Sequence, residues 1–203
     1  MKVGVLGGTF DPIHFGHLRI AEEAQQRIDL DTVLFIPTGQ PWIKINRKIT
    51  PAIHRVKMVE LAIDLEPGFE ISTVEINRKG PSYAVDTMAI LQEQMGVKTD
   101  FFFILGWDSL LDMHLWKEPA KLLKICHLVA ITRDIVCRPN LQTLRESIPG
   151  IVDRTIILDI PPINISSSDI RIRVAARLSI EGLLPETVAE YIALHNLYSN
   201  RLE

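Results

Sequence analysis

The 203-residue sequence holds two cysteines, Cys126 and Cys137, eleven positions apart and without a CxxC pair. That scarcity excludes a disulfide-stapled scaffold and the common zinc spacings. Positive charge is not in excess either: 22 Lys and Arg face 25 Asp and Glu, for a formal net charge of −3. A protein that grips a nucleic-acid backbone by covering it with cations shows a basic surplus, so no nucleic-acid partner is expected. A small anion held in a local pocket is still allowed. Long apolar runs are missing too. The longest, Phe101 to Leu105 with Trp107 close behind, is far shorter than the ~20 residues that span a bilayer, and no membrane partner is expected. The apolar part of Met1 to Gly8 is too short for a secretory signal. There is no low-complexity tract and no repeat of long period. What is present is a chain that is 47% hydrophobic, of one-domain length, able to bury a core without crosslinks. A reduced, cytoplasmic protein is expected, and a homo-oligomer is compatible with all of this.

Short β-branched runs alternate with segments of helical period. Val3–Leu6, Thr32–Ile36, Phe69–Val74, Phe101–Leu105, His127–Thr132 and Thr155–Ile160 read as strands. Most lack strict alternation, as strands buried on both faces do. Between them, Leu18, Ala21, Gln25 and Ile28 mark one helix, Met58, Leu61, Ala62 and Leu65 a second, and Ala84, Met88, Leu91 and Met95 a third. This order predicts an α/β fold: a doubly wound, Rossmann-like parallel sheet with helices on both faces. After Pro161-Pro162 only helical patterns follow, Ser168 to about Leu178 and Pro185 to His195. The expected organisation is an α/β core over residues 1–165 and a small C-terminal helical subdomain over 166–203, packed on the sheet. Gly39 to Thr50, with Trp42, Lys44, Arg47, Lys48 and, at the edge of the next helix, Arg55, has no clear period and reads as a mobile, cationic loop.

In such sheets ligands bind at the carboxyl ends of the strands. The first such loop reads Gly7-Gly8-Thr9-Phe10-Asp11-Pro12-Ile13-His14-Phe15-Gly16-His17. Two glycines let main-chain N–H groups approach an anion, and the following helix offers its N-terminus to the same anion. The spacing fits neither the Walker A loop nor the GxGxxG fingerprint. His14 and His17, at i and i+3, share one helical face, with Gly16 leaving room between them. Imidazole N–H groups donate to phosphate oxygens. Other readings stand beside this one: Asp11-Pro12 as a helix N-cap with its N1 proline, or His-x-x-His as a surface pair. Zinc is disfavoured, because no acidic or thiol ligand sits at a suitable offset.

The same loop resembles the HxGH motif of the nucleotidyltransferase superfamily, and closely resembles that of its bacterial nicotinate-nucleotide adenylyltransferase branch. The resemblance extends over nearly the whole chain. Pro37 to Lys44 is similar to the branch's Pro-rich loop ending in a phosphate-contacting lysine. Gly80-Pro81-Ser82-Tyr83 with Thr87 is similar to its Ser-Tyr segment before a helix. Gly106-Trp107-Asp108, followed by Trp116, resembles its GxD and Trp element. Ile165-Ser166-Ser167-Ser168-Asp169-Ile170-Arg171 resembles its ISSxxIR motif, and Pro185 to Tyr198 its last helix. Departures are Trp42 and Ile43 in place of Pro and His, Trp107 in place of a small residue, Ala84 where Thr is common, and Asp134 where Pro follows the Arg.

The resemblance implies adenylyl transfer from ATP to nicotinate mononucleotide, giving nicotinate adenine dinucleotide and pyrophosphate, in NAD biosynthesis. It implies His14, His17, Lys44 and Arg171 as the catalytic set. ATP would be held by these four together with Gly7, Gly8, Thr9, Phe10, Gly106, Asp108, Arg133, Ser166 and Ser167. Nicotinate mononucleotide would be held by Ser82, Tyr83, Thr87 and Trp116. Mg²⁺ would arrive with ATP, without a protein side chain as its ligand. Arg171 carries an independent clue: a cation in the first turn of a helix capped by one of Ser166 to Ser168 opposes the helix dipole. A bound anion would resolve that conflict, whereas a solvated side chain, or Arg173 in its place, is the alternative. Asp108 could accept ribose hydroxyls or cap a helix. Trp116 could be core, and Lys44 an exposed loop lysine. His54, His114, His127 and His195 have no comparable context, and the two cysteines read as packing residues. Within the superfamily phosphopantetheine adenylyltransferase is the alternative; outside it, a non-catalytic nucleotide-binding sensor.

Overall fold

The computed structural model describes residues 1–41, 49–132, 142–161 and 163–199. Lys44, Arg133, Trp42, Ile43, Asp134 and Cys137 lie outside the described residues. Six parallel strands form one sheet: β1 (Lys2–Gly8), β2 (Thr32–Pro37), β3 (Phe69–Ile71), β4 (Asp100–Gly106), β5 (Cys126–Thr132) and β6 (Thr155–Asp159), in the order β3-β2-β1-β4-β5-β6. The helices are α1 (Phe15–Ile28), α2 (Ala52–Ile63), α3 (Ala84–Met95), α4 (Trp107–Leu111), α5 (Pro119–Ile125), α6 (Gln142–Ser147), α7 (Ser167–Ala175) and α8 (Glu186–Leu194), with a 3-10 turn over Asp112–Leu115. The doubly wound, Rossmann-like architecture is the one the alternation of patterns predicts. Among the described residues no helix is long and apolar enough to cross a membrane.

Successive strand residues point to opposite faces, and the packing follows that period. Phe102 and Ile104 of β4 enter one apolar cluster with Leu6, Val33, Phe35, Val129 and Ile131, covered by α1, α2, α7 and α8. Phe101, Phe103 and Leu105 enter the other, with Val3, Val5, Leu34 and Ile36, covered by α3, α4, α5 and α6. Both faces of the sheet are therefore buried, which is why its strands read as unbroken apolar runs. Ile170, Leu184, Val188, Ile192 and Tyr198 belong to the first cluster, so the C-terminal helices share the core of the sheet.

Three local patterns differ from the sequence reading. β3 stops at Ile71 rather than Val74. The chain turns there, Asn77 N donating to Thr73 O at 3.0 Å, and Val74 packs against the second cluster instead. The buried stripe of α2 is Arg55, Met58, Val59, Ala62 and Ile63, while Leu65 lies beyond the helix and is 90% exposed. Finally, α4, α5 and α6 span five to seven residues, too few to display a helical period.

β1 is the switch point, with β2 on one side and β4 on the other. The chain leaves β1 and β4 toward opposite faces, which opens a crevice at their carboxyl ends. The Gly7–His17 loop and the Gly106–Asp108 turn both begin there.

At the opposite end of the sheet, His127 stacks on Phe102 with ring centroids 5.4 Å apart and accepts from Arg154 Nη1 at 3.0 Å. Burial, and then the charge of Arg154, lower its pKa, while Asp100 acts the other way. The unfolded chain takes up a proton near the ordinary histidine value of about 6.5, above the pH at which the folded one does. This contribution to stability is therefore complete above that pH and declines below it. Urea midpoints measured from pH 7.5 to 5.5 are expected to fall more steeply for the wild type than for His127→Gln; parallel curves would contradict this role.

Candidate active site

The loop leaving β1 is held from beneath by buried charge. Asp11 is 5% exposed, and its carboxylate accepts from Thr50 N at 3.2 Å and from Tyr198 Oη at 2.8 Å. It therefore does not cap α1, whose N-cap is His14, and the N-cap reading of Asp11-Pro12 gives way to this. Arg55, 2% exposed, donates through Nη1 to Thr9 O at 2.8 Å and through Nε to Thr50 O at 2.9 Å. Burial lowers its pKa, against the charge-favouring effects of Asp11, then Tyr198 and Glu75; a guanidinium stays protonated under these conditions. Arg171, also buried, donates through Nη1 to Asp11 O at 2.8 Å and through Nη2 to Ser168 Oγ at 3.2 Å. Ser167 Oγ donates to Pro12 O at 2.9 Å. The ISSxxIR segment and the first loop, 155 and 160 residues apart along the chain for these two pairs, thus meet as one unit. Ser166 caps α7 by accepting from Asp169 N at 3.1 Å.

Tying these carbonyls down fixes the N–H groups. In a trans peptide the C=O and the following N–H point in opposite directions. Gly8 O accepts from Thr38 N at 2.8 Å and Thr9 O from Arg55, so the N–H groups of Thr9 and Phe10 face away from those partners. Phe10 adopts a left-handed backbone, φ 47°, and its buried ring lies 5.9 Å from that of Phe35 and edge-on to His17 at 5.0 Å. A side chain on Gly8 would meet that ring at 2.9 Å, which accounts for the second glycine; at Gly7 a side chain would meet nothing within 4 Å.

The two histidines come together as their spacing predicts. Their rings stack with centroids 3.8 Å apart and planes at 26°. His14 N donates to His17 Nδ1 at 3.3 Å, so Nδ1 carries no hydrogen and the proton of the neutral ring resides on Nε2. Gly16 is required by this stacking, since an added Cβ would lie 2.9 Å from both Cε1 and Nδ1 of His14. The first turn of α1 contains no acidic residue, which leaves the positive end of the helix dipole without a carboxylate of its own first turn; Phe15 N there donates to Leu183 O at 3.1 Å.

Of the remaining residues, Gly106 is exposed and is the N-cap of α4, which places Asp108, also exposed, in the first turn of that helix rather than at its cap. Ser82 is buried and accepts from Gly39 N at 3.1 Å and Gln40 N at 3.2 Å, fixing the exit of β2. Thr87, 1% exposed, donates to the buried Glu75 at 2.7 Å. Tyr83 is half-buried, with Lys117 Nζ 5.0 Å from its ring centroid. Trp116 stands edge-on to Phe103 at 5.9 Å, and Trp107 packs against the same apolar cluster with its indole N–H buried and without a partner. Arg173 pairs with Asp169 at 2.9 Å on the surface and does not compete with Arg171. Cys126 is buried, its thiol pushed up to about 12 by burial, in keeping with a packing role. Among the described residues no group of three or more His, Cys, Asp or Glu side chains could hold a metal.

The sequence reading placed Arg55 with the cationic loop and missed its buried position, and it missed Thr50, Tyr198 and the inward role of Asp11. For Arg55 a signal existed, because it continues the buried α2 stripe one turn toward the N-terminus. Two variants test this arrangement. Tyr198→Phe removes a hydrogen bond to a charged group, and is expected to cost about 2 kcal/mol of stability in urea unfolding and to lower turnover. Gly16→Ala is expected to displace the His14 ring and lower kcat by about 100-fold in a chain that remains folded by circular dichroism.

Residues 5–173 match the family model described as cytidylyltransferase-like. A relative from Dehalococcoides mccartyi named "Probable nicotinate-nucleotide adenylyltransferase" is 43% identical over 98% of this chain and 97% of its own. One of the same name from Thermomicrobium roseum is 42% identical over 97% and 91%. A solved structure of Plasmodium falciparum nicotinic acid mononucleotide adenylyltransferase complexed with NaAD superposes with a TM-score of 0.78 at 20% identity, covering 100% of this chain and 99% of that one, a likeness of fold. From the motif loop, the strand order and full-length relatives above 40% identity, the chain belongs to the nicotinate-nucleotide adenylyltransferase family.

Proposed function

We propose that this chain transfers the adenylyl group of ATP to nicotinate mononucleotide, forming nicotinate adenine dinucleotide and pyrophosphate for NAD biosynthesis. The observation that carries the reading is the stacked His14–His17 pair at the positive end of α1, on a loop fixed from beneath by Arg55 and Arg171. These groups donate hydrogen bonds and positive potential, which suits phosphate rather than a metal ion.

In the reaction a phosphate oxygen of nicotinate mononucleotide forms a bond to the α-phosphorus of ATP as the bond from that phosphorus to the bridging oxygen of the β-phosphate breaks. The departing electron pair goes to pyrophosphate. Because the nucleophile is already an anion, the step needs no proton removed, and no covalent enzyme intermediate is invoked. The protein's task is to align two anions that repel each other and to stabilise the charge that builds on the α-phosphoryl oxygens. His17 Nε2–H, fixed by its bond at Nδ1, and His14 beside it are assigned to that charge. The N–H groups of Thr9 and Phe10, with Gly7 and Gly8, are assigned to the triphosphate. Lys44 and Arg133, outside the described residues, complete its binding. Arg171 and the Ser166–Ser167 end of α7 act through the loop they hold and through the charge of the guanidinium. Gly106 and Asp108 take the ribose of ATP, and Tyr83 and Trp116 the pyridine ring; Ser82 and Thr87 shape that subsite from their buried positions. Bound with ATP and without a protein side chain as its ligand, Mg²⁺ would supply neutralisation of the triphosphate charge. With ATP as substrate, the cytoplasm is the compartment proposed.

Pyrophosphate release with ATP and Mg²⁺, offered with nicotinate mononucleotide, nicotinamide mononucleotide or phosphopantetheine, tests the assignment. Turnover with the pyridine nucleotides is expected. Turnover with phosphopantetheine alone would overturn the reading, and none with any acceptor would favour a sensor. His14→Ala and His17→Ala are each expected to lose about 3–4 kcal/mol of transition-state stabilisation, seen as a fall in kcat larger than the rise in KM.

A further inference from the structure

The two substrates are assigned to opposite layers of the fold. Arg55, which clamps the ATP loop at Thr9 O, belongs to α2 on one face of the sheet. Tyr83 and Thr87 belong to the start of α3 on the other. In-line transfer brings a phosphate held on one layer to a phosphorus held on the other, so the offset between layers matters as much as the order within each. Glu75 lies where the layers meet.

This residue sits in the turn between β3 and α3 and is 8% exposed. Ser72 N ties the turn to β2 by donating to Phe35 O at 2.9 Å, and Asn77 closes it onto Thr73 through N and Nδ2, both at 3.0 Å. The turn packs directly on the exit of β2, where a side chain on Gly39 would collide with Glu75 O. Its neighbours face different layers: Val74 packs with the α3 cluster, while Ile76 lines a surface cavity with Ile53 and Val56 of α2. From here the carboxylate serves both. Its Oε1 accepts from Thr87 Oγ1 at 2.7 Å. Burial lowers the pKa of Arg55, and Glu75 joins Asp11 and Tyr198 in opposing that effect. The buried charges point the same way. Apart from Glu23, which pairs with Arg19 and Arg27, the buried acids and arginines among the described residues are Asp11 and Glu75 against Arg55 and Arg171. A buried cation without an opposing charge is costly, so Glu75 completes the balance that Asp11 alone leaves unmet.

We infer that Glu75 is a positioning residue for the transfer: one buried carboxylate that ties the α3 segment assigned to the pyridine nucleotide to the arginine that clamps the ATP loop, and so sets the offset between the two substrates. The inference rests on the adenylyl-transfer reading above. Glu75 acts through Thr87 and Arg55 rather than on the reacting atoms. Each substrate alone therefore needs little from it, whereas the transition state and the dinucleotide product, which must fit both subsites at once, depend on it.

The test separates alignment from binding. Glu75→Gln keeps an amide oxygen for Thr87 and removes the charge that Arg55 feels; Thr87→Val keeps the charge and removes the bond. For each variant kcat is measured by pyrophosphate release. Affinities are measured by calorimetry for nicotinate mononucleotide alone, for α,β-methylene-ATP with Mg²⁺ alone, and for nicotinate adenine dinucleotide. Both variants are expected to lower kcat at least about tenfold, as a small misplacement of reacting groups does, to weaken the dinucleotide by a similar factor, and to hold each separate nucleotide within about twofold. Because the two substitutions cut the same link, the double variant is expected to lose no more than the worse single one. Wild-type kcat in a folded Glu75→Gln chain would overturn the inference. So would losses that multiply in the double variant, or a weakening of the separate nucleotides as large as that of the dinucleotide, which marks a purely structural role. Should Glu75→Gln fail to fold, Thr87→Val with the kcat and dinucleotide affinity of the wild type would overturn it. A wild type that binds the separate nucleotides yet forms no dinucleotide would instead overturn the functional reading itself.

Discussion

Asp11 accepts from Thr50 and Tyr198, while Arg55 and Arg171 bind the carbonyls of Thr9 and Asp11. Every other feature of the site depends on this knot. It brings together distant parts of the chain: the loop after β1, the segment before α2, the start of α7 and Tyr198. Buried charges of this kind contribute little net stability when compared with well-packed apolar groups, yet removing one partner is expensive, about 3–5 kcal/mol. Their use here is in specifying one conformation of a loop that must hold a phosphorus atom and its attacking oxygen in line.

The sheet supplies the position and the knot supplies the direction. Because β1 lies at the switch point, its loop emerges beside that of β4, and the two substrates can occupy neighbouring parts of one crevice. Because the carbonyls of Gly8 and Thr9 are bound, the intervening N–H groups turn away from the clamp. Because Gly16 lacks a side chain, the two imidazoles stack. The net charge of −3 is therefore no obstacle to binding two phosphorylated substrates: the relevant cations are local, and two of them are buried and spent on shaping the loop.

Much of this could be read from the sequence. The strands were legible because both their faces are buried and their apolar runs are continuous, and the His14–His17 pair was legible because i and i+3 on a helix is a strict geometric relation. The serines of the last motif were legible as a helix start. Arg171 was expected to face an anion; instead two of its N–H groups serve Asp11 O and Ser168, a choice that depends on a contact across 160 residues and leaves no local pattern. Tyr198 escaped notice for the same reason. Thr87 carries a motif position yet spends its hydroxyl on Glu75, and nothing in the spacing of Thr87 and Glu75 announces that bond. The short α4 and α5, which carry Trp107 and follow Trp116, are set by tertiary packing rather than by periodicity.

The central claim is that the loop presents its donors before any substrate arrives. It is tested most directly by the ring-nitrogen chemical shifts of ¹⁵N-labelled His17 at neutral pH, free and with a non-hydrolysable ATP analogue. The account predicts an unprotonated Nδ1 and a protonated Nε2 in the free protein, with Nδ1 unchanged and Nε2 shifted when the analogue binds. A free protein in which His17 carries its proton on Nδ1, or exchanges between both tautomers until the analogue is added, would contradict it.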